Sequence, residues 1–213
     1  MTRFIFVRHG QSTANKLKIF AGHHDVDLTE LGHMQAQMTA EYIYNNYKVD
    51  SVYASDLLRA FSTGKYIADR LGVEIIPDRR LREIYAGKWD GQPFDFAKTT
   101  YPDDFLLWDQ DIGNARCSGG ESVKELGARI FEAVSDIAEK NIGKTVVVAT
   151  QATPIKCLMC LASGGDYNNM KSIPWVSNSS VSIVRYENGK IVFETDGYDA
   201  HLGEFSSCHE RGK

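Results

Sequence analysis

An imidazole, a guanidinium and several small hydrogen-bonding residues come together in Arg8-His9-Gly10-Gln11-Ser12-Thr13-Ala14-Asn15, directly after the apolar run Phe4-Ile5-Phe6-Val7. That run has the β-branched and aromatic composition of a buried strand. The polar, glycine-containing stretch reads as the loop leaving it. In open α/β sheets ligands sit just beyond the carboxyl ends of strands, so Arg8 and His9 stand where chemistry is expected. The bland alternative is a satisfied histidine beside a glycine turn, and the tripeptide alone leaves both open. A second cation, Arg59, falls near the start of a helix that follows the short strand Ser51-Val52-Tyr53-Ala54. Free N–H groups and the helix dipole favour an anion there, and a guanidinium adds a planar fork matching two oxygens. Its bland reading is an exposed helical arginine.

The elements that must position these groups are legible as periodicity and punctuation. Thr29 is a plausible N-cap for a helix whose Leu31, Met34, Met38 and Tyr42 recur at spacings of three and four, one apolar stripe. The helix carrying Arg59 is expected to reach about Leu71, and Val73-Glu74-Ile75-Ile76 is expected as a third strand. Ser122 with Glu125 has capping-box spacing. Val123, Leu126, Ile130, Val134 and Ile137 then trace a stripe to the stop at Asn141-Ile142-Gly143. Val146-Val147-Val148 marks a fully buried central strand over 144–150, followed by Gln151. Ser179 to Tyr186 and Ile191 to Thr195 flank an Asn188-Gly189 turn, a hairpin. The fold class expected is α/β: a single three-layer domain, mostly parallel sheet with helices on both faces, closed by that hairpin. Two stretches lack a clear period, the Lys16–Asp27 loop over the pocket mouth and Gln92–Arg116. The tail from Asp199, with His201, Cys208 and His209, reads as polar and irregular.

Bulk properties narrow the partners. A chain of 213 residues fits one compact α/β domain with a full core. With 24 basic against 28 acidic residues, the net charge of −4 gives no basic field for nucleic acid. Any positive charge needed for an anionic substrate must therefore be local to a pocket. No secretory leader precedes the first strand and no apolar run approaches the roughly 20 residues of a membrane span. The expected setting is a reduced cytoplasm with no membrane partner. Cys157-x-x-Cys160 has no second pair for zinc, and its apolar neighbours Ile155, Leu158, Met159 and Leu161 favour core cysteines over a metal or redox site. His23, His24 and His33 lack carboxylate or cysteine partners at ligand spacing and read as solvent-exposed or loop residues. No metal site is expected, and His201, Cys208 and His209 supply too few ligands for one.

Taken together, several motifs resemble the histidine phosphatase superfamily, the phosphoglycerate mutase-like family. They are Arg8-His9-Gly10 with Asn15; Leu28-Thr29, Gly32 and Gln35-Ala36; Ser55 with Arg59-Ala60; Glu83 ahead of Gly87 and Trp89; Gly119-Gly120-Glu121-Ser122; and Ile155-Lys156 after the central strand. The resemblance covers nearly the whole chain, read as one domain over 1–213 with a variable insertion, 92–116, over the site. It implies a cofactor- and metal-independent phosphomonoesterase. His9 would attack phosphorus to give a phosphohistidine, with Arg8, Asn15, Arg59, Gly22 and Ala152 as substrate-binding positions. Glu83 would protonate the leaving alcohol, a role a carboxyl fills when low polarity or a neighbouring anion holds its proton. Partners would be a small phosphorylated substrate and inorganic phosphate, and a homo-oligomer is compatible.

One position departs from the pattern. Ile155 and Lys156 fix the register, so the second histidine of many relatives is replaced by Gln151. That histidine supplies positive charge and a hydrogen bond to the phosphoryl oxygens. An amide still donates but is never cationic, and losing one preorganised donor costs roughly 3–4 kcal/mol of barrier. Three readings stay open: an introduced substitution in a competent phosphatase, a natural slower catalyst, or a non-catalytic protein that binds phosphorylated ligands. A phosphoglycerate mutase is the rival enzyme. Against it, Gln92–Arg116 carries Lys98 and Arg116 against Asp95, Asp103, Asp104, Asp109 and Asp111, which suits a small neutral or apolar ester better than a carboxylated one.

Overall fold

The computed structural model describes residues 1–206. Strand β1 (Thr2–Arg8) is followed by the one-turn helix α1 (Thr13–Leu17), helix α2 (Glu30–Asn46), strand β2 (Ser51–Ala54), helix α3 (Leu58–Leu71) and strand β3 (Ile75–Pro77). Then come α4 (Phe94–Thr100), α5 (Pro102–Gln110), α6 (Val123–Lys140), β4 (Thr145–Thr150), α7 (Ala152–Ala162), and the pair β5 (Val181–Glu187) and β6 (Lys190–Tyr198). The sheet order is β3-β2-β4-β1-β5-β6. The first four strands run parallel, and β5 and β6 pair antiparallel at one edge. Asn188 and Gly189 both take positive φ, 51° and 74°, as a two-residue hairpin turn of this kind requires.

Both faces of the central strands are covered, which is why β1 and β4 read as unbroken apolar runs. Phe4 and Phe6 with Val146 and Val148 face α6, α7 and Trp89. Ile5, Val7 and Val147 face Ala40 and Ile43 of α2 and Ile67 and Ala68 of α3. In α6 all five residues of the expected stripe are buried, and the Ser122/Glu125 capping box forms at its start. Each such side chain contributes about 1.5–3 kcal/mol by burial, so the stripe outweighs the cap. Among the described residues no helix is long and apolar enough to cross a membrane.

Helix α2 departs from expectation. Thr29 caps it as foreseen, its hydroxyl accepting from the Gly32 N–H. The buried face, however, is Gly32, Gln35, Ala36, Thr39, Ala40 and Ile43, while Met34 is 41% exposed. Close approach, not apolar bulk, decides this face: a Cβ on Gly32 would lie 2.0 Å from the Gln11 carbonyl oxygen, and one on Gly10 would lie 2.4 Å from that of Gly32. Residues 92–116, which show no clear period, contain α4 and α5. Helix α5 buries none of its residues fully, so no stripe announces it.

The tail is more ordered than a polar segment suggests. Residues 200–205 form a 3-10 turn whose Leu202 is fully buried. The His201 ring stacks on Tyr42 and Tyr198, with centroids 4.6 and 5.6 Å away. Cys208 and His209 lie outside the described residues.

Candidate active site

The register of the central strands brings the candidate residues to one end of the sheet. Arg8 pairs with Thr150, and the His9 N–H donates to the Thr150 carbonyl at 3.0 Å, so residues 9 and 151 leave the sheet side by side. On the other side of β4 the Ser55 N–H donates to Ala149 at 3.0 Å, which starts the turn into α3. Beyond these ends lies a cavity of about 500 Å³ whose wall includes Arg8, His9, Asn15, Arg59, Glu83 and Ala152.

His9 is 4% exposed, and its Nδ1 lies 2.6 Å from the Gly10 carbonyl oxygen. A carbonyl only accepts, so the proton sits on Nδ1 and Nε2 carries the free lone pair. Burial first, then the Arg59 and Arg8 charges, hold this imidazole well below its ordinary 6.5. A neutral ring with one committed nitrogen is the form a nucleophile needs. The loop around it is cross-braced: the His9 carbonyl accepts from Asn178 Nδ2 at 3.0 Å and from the Ser179 N–H at 3.2 Å. Asn15 Oδ1 accepts from the Ser12 N–H, the Ser12 hydroxyl and Asn178 Nδ2, which leaves its Nδ2 to donate into the cavity.

Arg59, second residue of α3, is fully buried. Its Nη1 and Nη2 donate to the carbonyls of His24 and Gly22 at 3.1 and 2.7 Å, and its Nε has no partner among the described residues. No carboxylate among them lies within ion-pairing distance of it. Burial works against its charge, partly offset by Glu83, Asp25 and Asp90 at longer range. A buried guanidinium held only by neutral carbonyls is costly unless a ligand brings the counter-charge. Gly22 thus orients an arginine through its carbonyl. It sits at φ 47°, with Asp90 Oδ1 only 1.7 Å from where a Cβ would be. Arg8 Nη1 donates to the Val176 carbonyl at 2.5 Å.

Glu83 Oε1 accepts from the Ile84 N–H at 2.8 Å, and Oε2 from Thr153 N–H, in the first turn of α7, at 3.3 Å. Gln151 is the exception. Fully buried and absent from the cavity wall, its Nε2 donates to Ser55 Oγ at 3.0 Å and its Oε1 lies 3.2 Å from Thr150 Oγ1. The amide ties the ends of β2 and β4 together instead of facing the cavity. Ala152, the next residue, does line it. Among the described residues no group of three or more His, Cys, Asp or Glu is placed to hold a metal ion. Cys157 and Cys160 are free and buried in the core.

Sequence comparison agrees with this geometry. The family model of the histidine phosphatase superfamily (branch 1) matches residues 4–197. The chain belongs to the histidine phosphatase superfamily. Phosphoserine phosphatase 1 of Hydrogenobacter thermophilus is 30% identical over 205 residues, spanning 96% of both chains. Phosphoglycerate mutase-like protein 4 of Arabidopsis thaliana is 32% identical over 203 residues, 94% of this chain and 86% of that one. Among solved structures, Bacillus stearothermophilus YhfR superposes with a TM-score of 0.90 at 26% identity, covering 95% of this chain and all of that one.

Two residues outside the superfamily motifs noted above hold Glu83 in place, and sequence reasoning missed both. Arg129 of α6, paired with Glu121 at 2.8 Å, donates to the carbonyls of Arg80, Arg82 and Glu83 at 2.7, 3.1 and 3.2 Å. His23 Nε2 sits 2.9 Å from the same Glu83 carbonyl, and burial lowers its pKa. It lies in a loop, as expected, but is half-buried and anchored. His33 likewise sits on α2, its Nδ1 3.3 Å from the Tyr66 hydroxyl. Arg129's only sequence signal is its place beside the buried Ile130 of the α6 stripe, and His23 gives none.

Proposed function

We propose that this chain is a phosphomonoester hydrolase working through a phosphohistidine on His9. The observation that carries the reading is the neutral His9, its Nδ1 committed to Gly10, sharing a cavity wall with Arg8, Arg59 and Glu83. His9 Nε2 attacks phosphorus in line with the departing oxygen. The P–O ester bond breaks as the P–N bond forms, and the Glu83 carboxyl gives its proton to the alcohol. Arg8, Arg59 and Asn15 Nδ2 hold the equatorial oxygens, where positioning and charge supply most of the acceleration. Water then attacks, Glu83 takes its proton, and the P–N bond breaks to release phosphate and neutral His9. Phosphatase-named relatives support this reading.

The test is to incubate the protein with radiolabelled phosphomonoesters, quench with denaturant, and follow acid-labile label. Label should map to His9 and disappear in H9A, whose turnover should fall at least about 10⁴-fold. Label that never appears, with phosphate still released, would overturn the mechanism.

A second reading, a phosphate-ligand binder without turnover, draws on Gln151 facing Ser55 instead of the cavity. The Gln151→His exchange separates the two. Weak turnover that rises in Q151H, by up to about 10²–10³-fold, favours the hydrolase. Two inert proteins that both bind phosphate favour the binder.

A further inference from the structure

Resting on the hydrolase reading, we infer that the cavity selects phosphomonoesters of uncharged, aromatic-bearing alcohols and disfavours phosphorylated carboxylic acids, with Trp175 a specificity-determining residue that Lys156 positions. Among the described residues the charged members of the cavity wall are Arg8, Arg59 and Glu83. The two arginines are engaged by the phosphoryl group, so the alcohol meets the Glu83 carboxyl and no further cation. The wall beyond these includes the large apolar side chains Ile19, Phe20, Phe94, Trp108 and Trp175, beside smaller residues such as Ala21 and Thr153. A substrate carboxylate placed there loses water and gains no cationic partner. An aromatic ring gains faces and edges to pack on.

Two observations separate this surface from ordinary core. Phe20 packs against Phe94, Trp108 and Trp89, with ring centroids 4.7, 5.0 and 5.2 Å away, forming a cluster open on its cavity side. Phe94 and Trp175, both in the cavity wall, stay 40% and 38% exposed, large apolar area that folding alone does not cover. Trp175 is also held from behind the wall. The Lys156 ammonium donates to the Ile173 carbonyl and lies 4.6 Å from the Trp175 ring centroid. Lys156 is 2% exposed and not part of the wall, so it orients the indole without offering its charge to a substrate carboxylate. Of the basic side chains of and beside the 92–116 segment, Arg116 pairs with Glu125 and Lys88 lies over the Tyr101 ring, and neither they nor Lys98 belong to the cavity wall.

The experiment compares kcat/KM for 2-phenylethyl phosphate, methyl phosphate, phosphoserine and 3-phosphoglycerate. It also measures calorimetric affinity for benzylphosphonate against inorganic phosphate. Phenylethyl phosphate should exceed both carboxylated esters at least about tenfold, and benzylphosphonate should bind about tenfold tighter than phosphate. W175A should raise KM for phenylethyl phosphate about tenfold, a far larger change than it makes to any kinetic parameter of methyl phosphate. K156M should produce part of the same KM change and K156R should reverse it. Preference for phosphoserine or 3-phosphoglycerate, or an equal loss on all esters in W175A, overturns the inference and leaves the hydrolase reading standing. Tight benzylphosphonate binding without turnover of any ester does the reverse.

Discussion

The two halves of the cavity are built on opposite plans. Around the phosphoryl position, the ionisable groups are held by backbone: His9 by the Gly10 carbonyl, Arg59 by those of Gly22 and His24, Glu83 by the N–H groups of Ile84 and Thr153. Gly10 follows the end of β1 and Thr153 lies in the first turn of α7, while Gly22, His24 and Ile84 lie in loops. Around the alcohol, the wall is made of side chains from segments outside the sheet, partly exposed and joined by ring contacts rather than by hydrogen bonds. Directional bonds to backbone set positions to fractions of an ångström, whereas aromatic packing tolerates substitution at constant volume. On the proposed reading, chemistry is written into the first half and choice of substrate into the second.

Exchanges in the first half should damage alkyl esters whether or not they carry an aromatic group. Glu83→Gln keeps shape but removes the proton, and alkyl esters should lose about 10²–10⁴-fold in kcat. Nitrophenyl phosphate, whose alcohol leaves without help, should lose far less, and equal losses would contradict the proton-donor role. Arg59→Met should cost about 10²–10³-fold in kcat/KM on every ester. Because it also removes a buried cation without a carboxylate partner, its melting temperature should hold or rise. A melting temperature that falls by many degrees would show that the guanidinium is a structural anchor. The smallest effect concerns the brace behind the first half, where Thr39 contacts both His201 Nε2 and the Ser179 carbonyl. Burial pushes His201 down to about 4 from an ordinary 6.5. The unfolded chain therefore takes up this proton near 6.5 and the folded one only near 4, so stability is lost as pH falls across that interval. His201→Phe should make the decline of the denaturation midpoint from pH 6.5 to 4 shallower, without altering the preference among esters.

What the sequence disclosed follows the same division. Strand β1, the Ser122/Glu125 box, the α6 stripe and the Asn188-Gly189 turn are local patterns, and each formed as read. Helix α2 misled because its packing face is defined by missing bulk at Gly32, Ala36 and Ala40, which a stripe of large residues cannot reveal. Helices α4 and α5 are short and half-solvated, with little periodicity to detect. In the site, His9, Arg59 and Glu83 were recognisable through motifs that end strands or begin helices. Arg129 and His23 were not, because each reaches Glu83 through a main-chain carbonyl, and such contacts leave no residue-type signature at the acceptor. Gln151 leaves the end of β4, and its amide donates to Ser55. Its neighbourhood with Ser55 arises from the pairing of β2 with β4, which register alone reveals.

The mutual contact of Gly10 and Gly32 has a consequence for how such a pocket can diversify. Main chain meets main chain there with no room for even a methyl group, so the bearing of His9, the proposed nucleophile, rests in part on backbone that side-chain exchanges around the alcohol do not touch. Aromatic residues around the leaving group are then free to be swapped, enlarged or deleted while the histidine keeps its aim. An inherited reaction can pass to new substrates without being rebuilt each time.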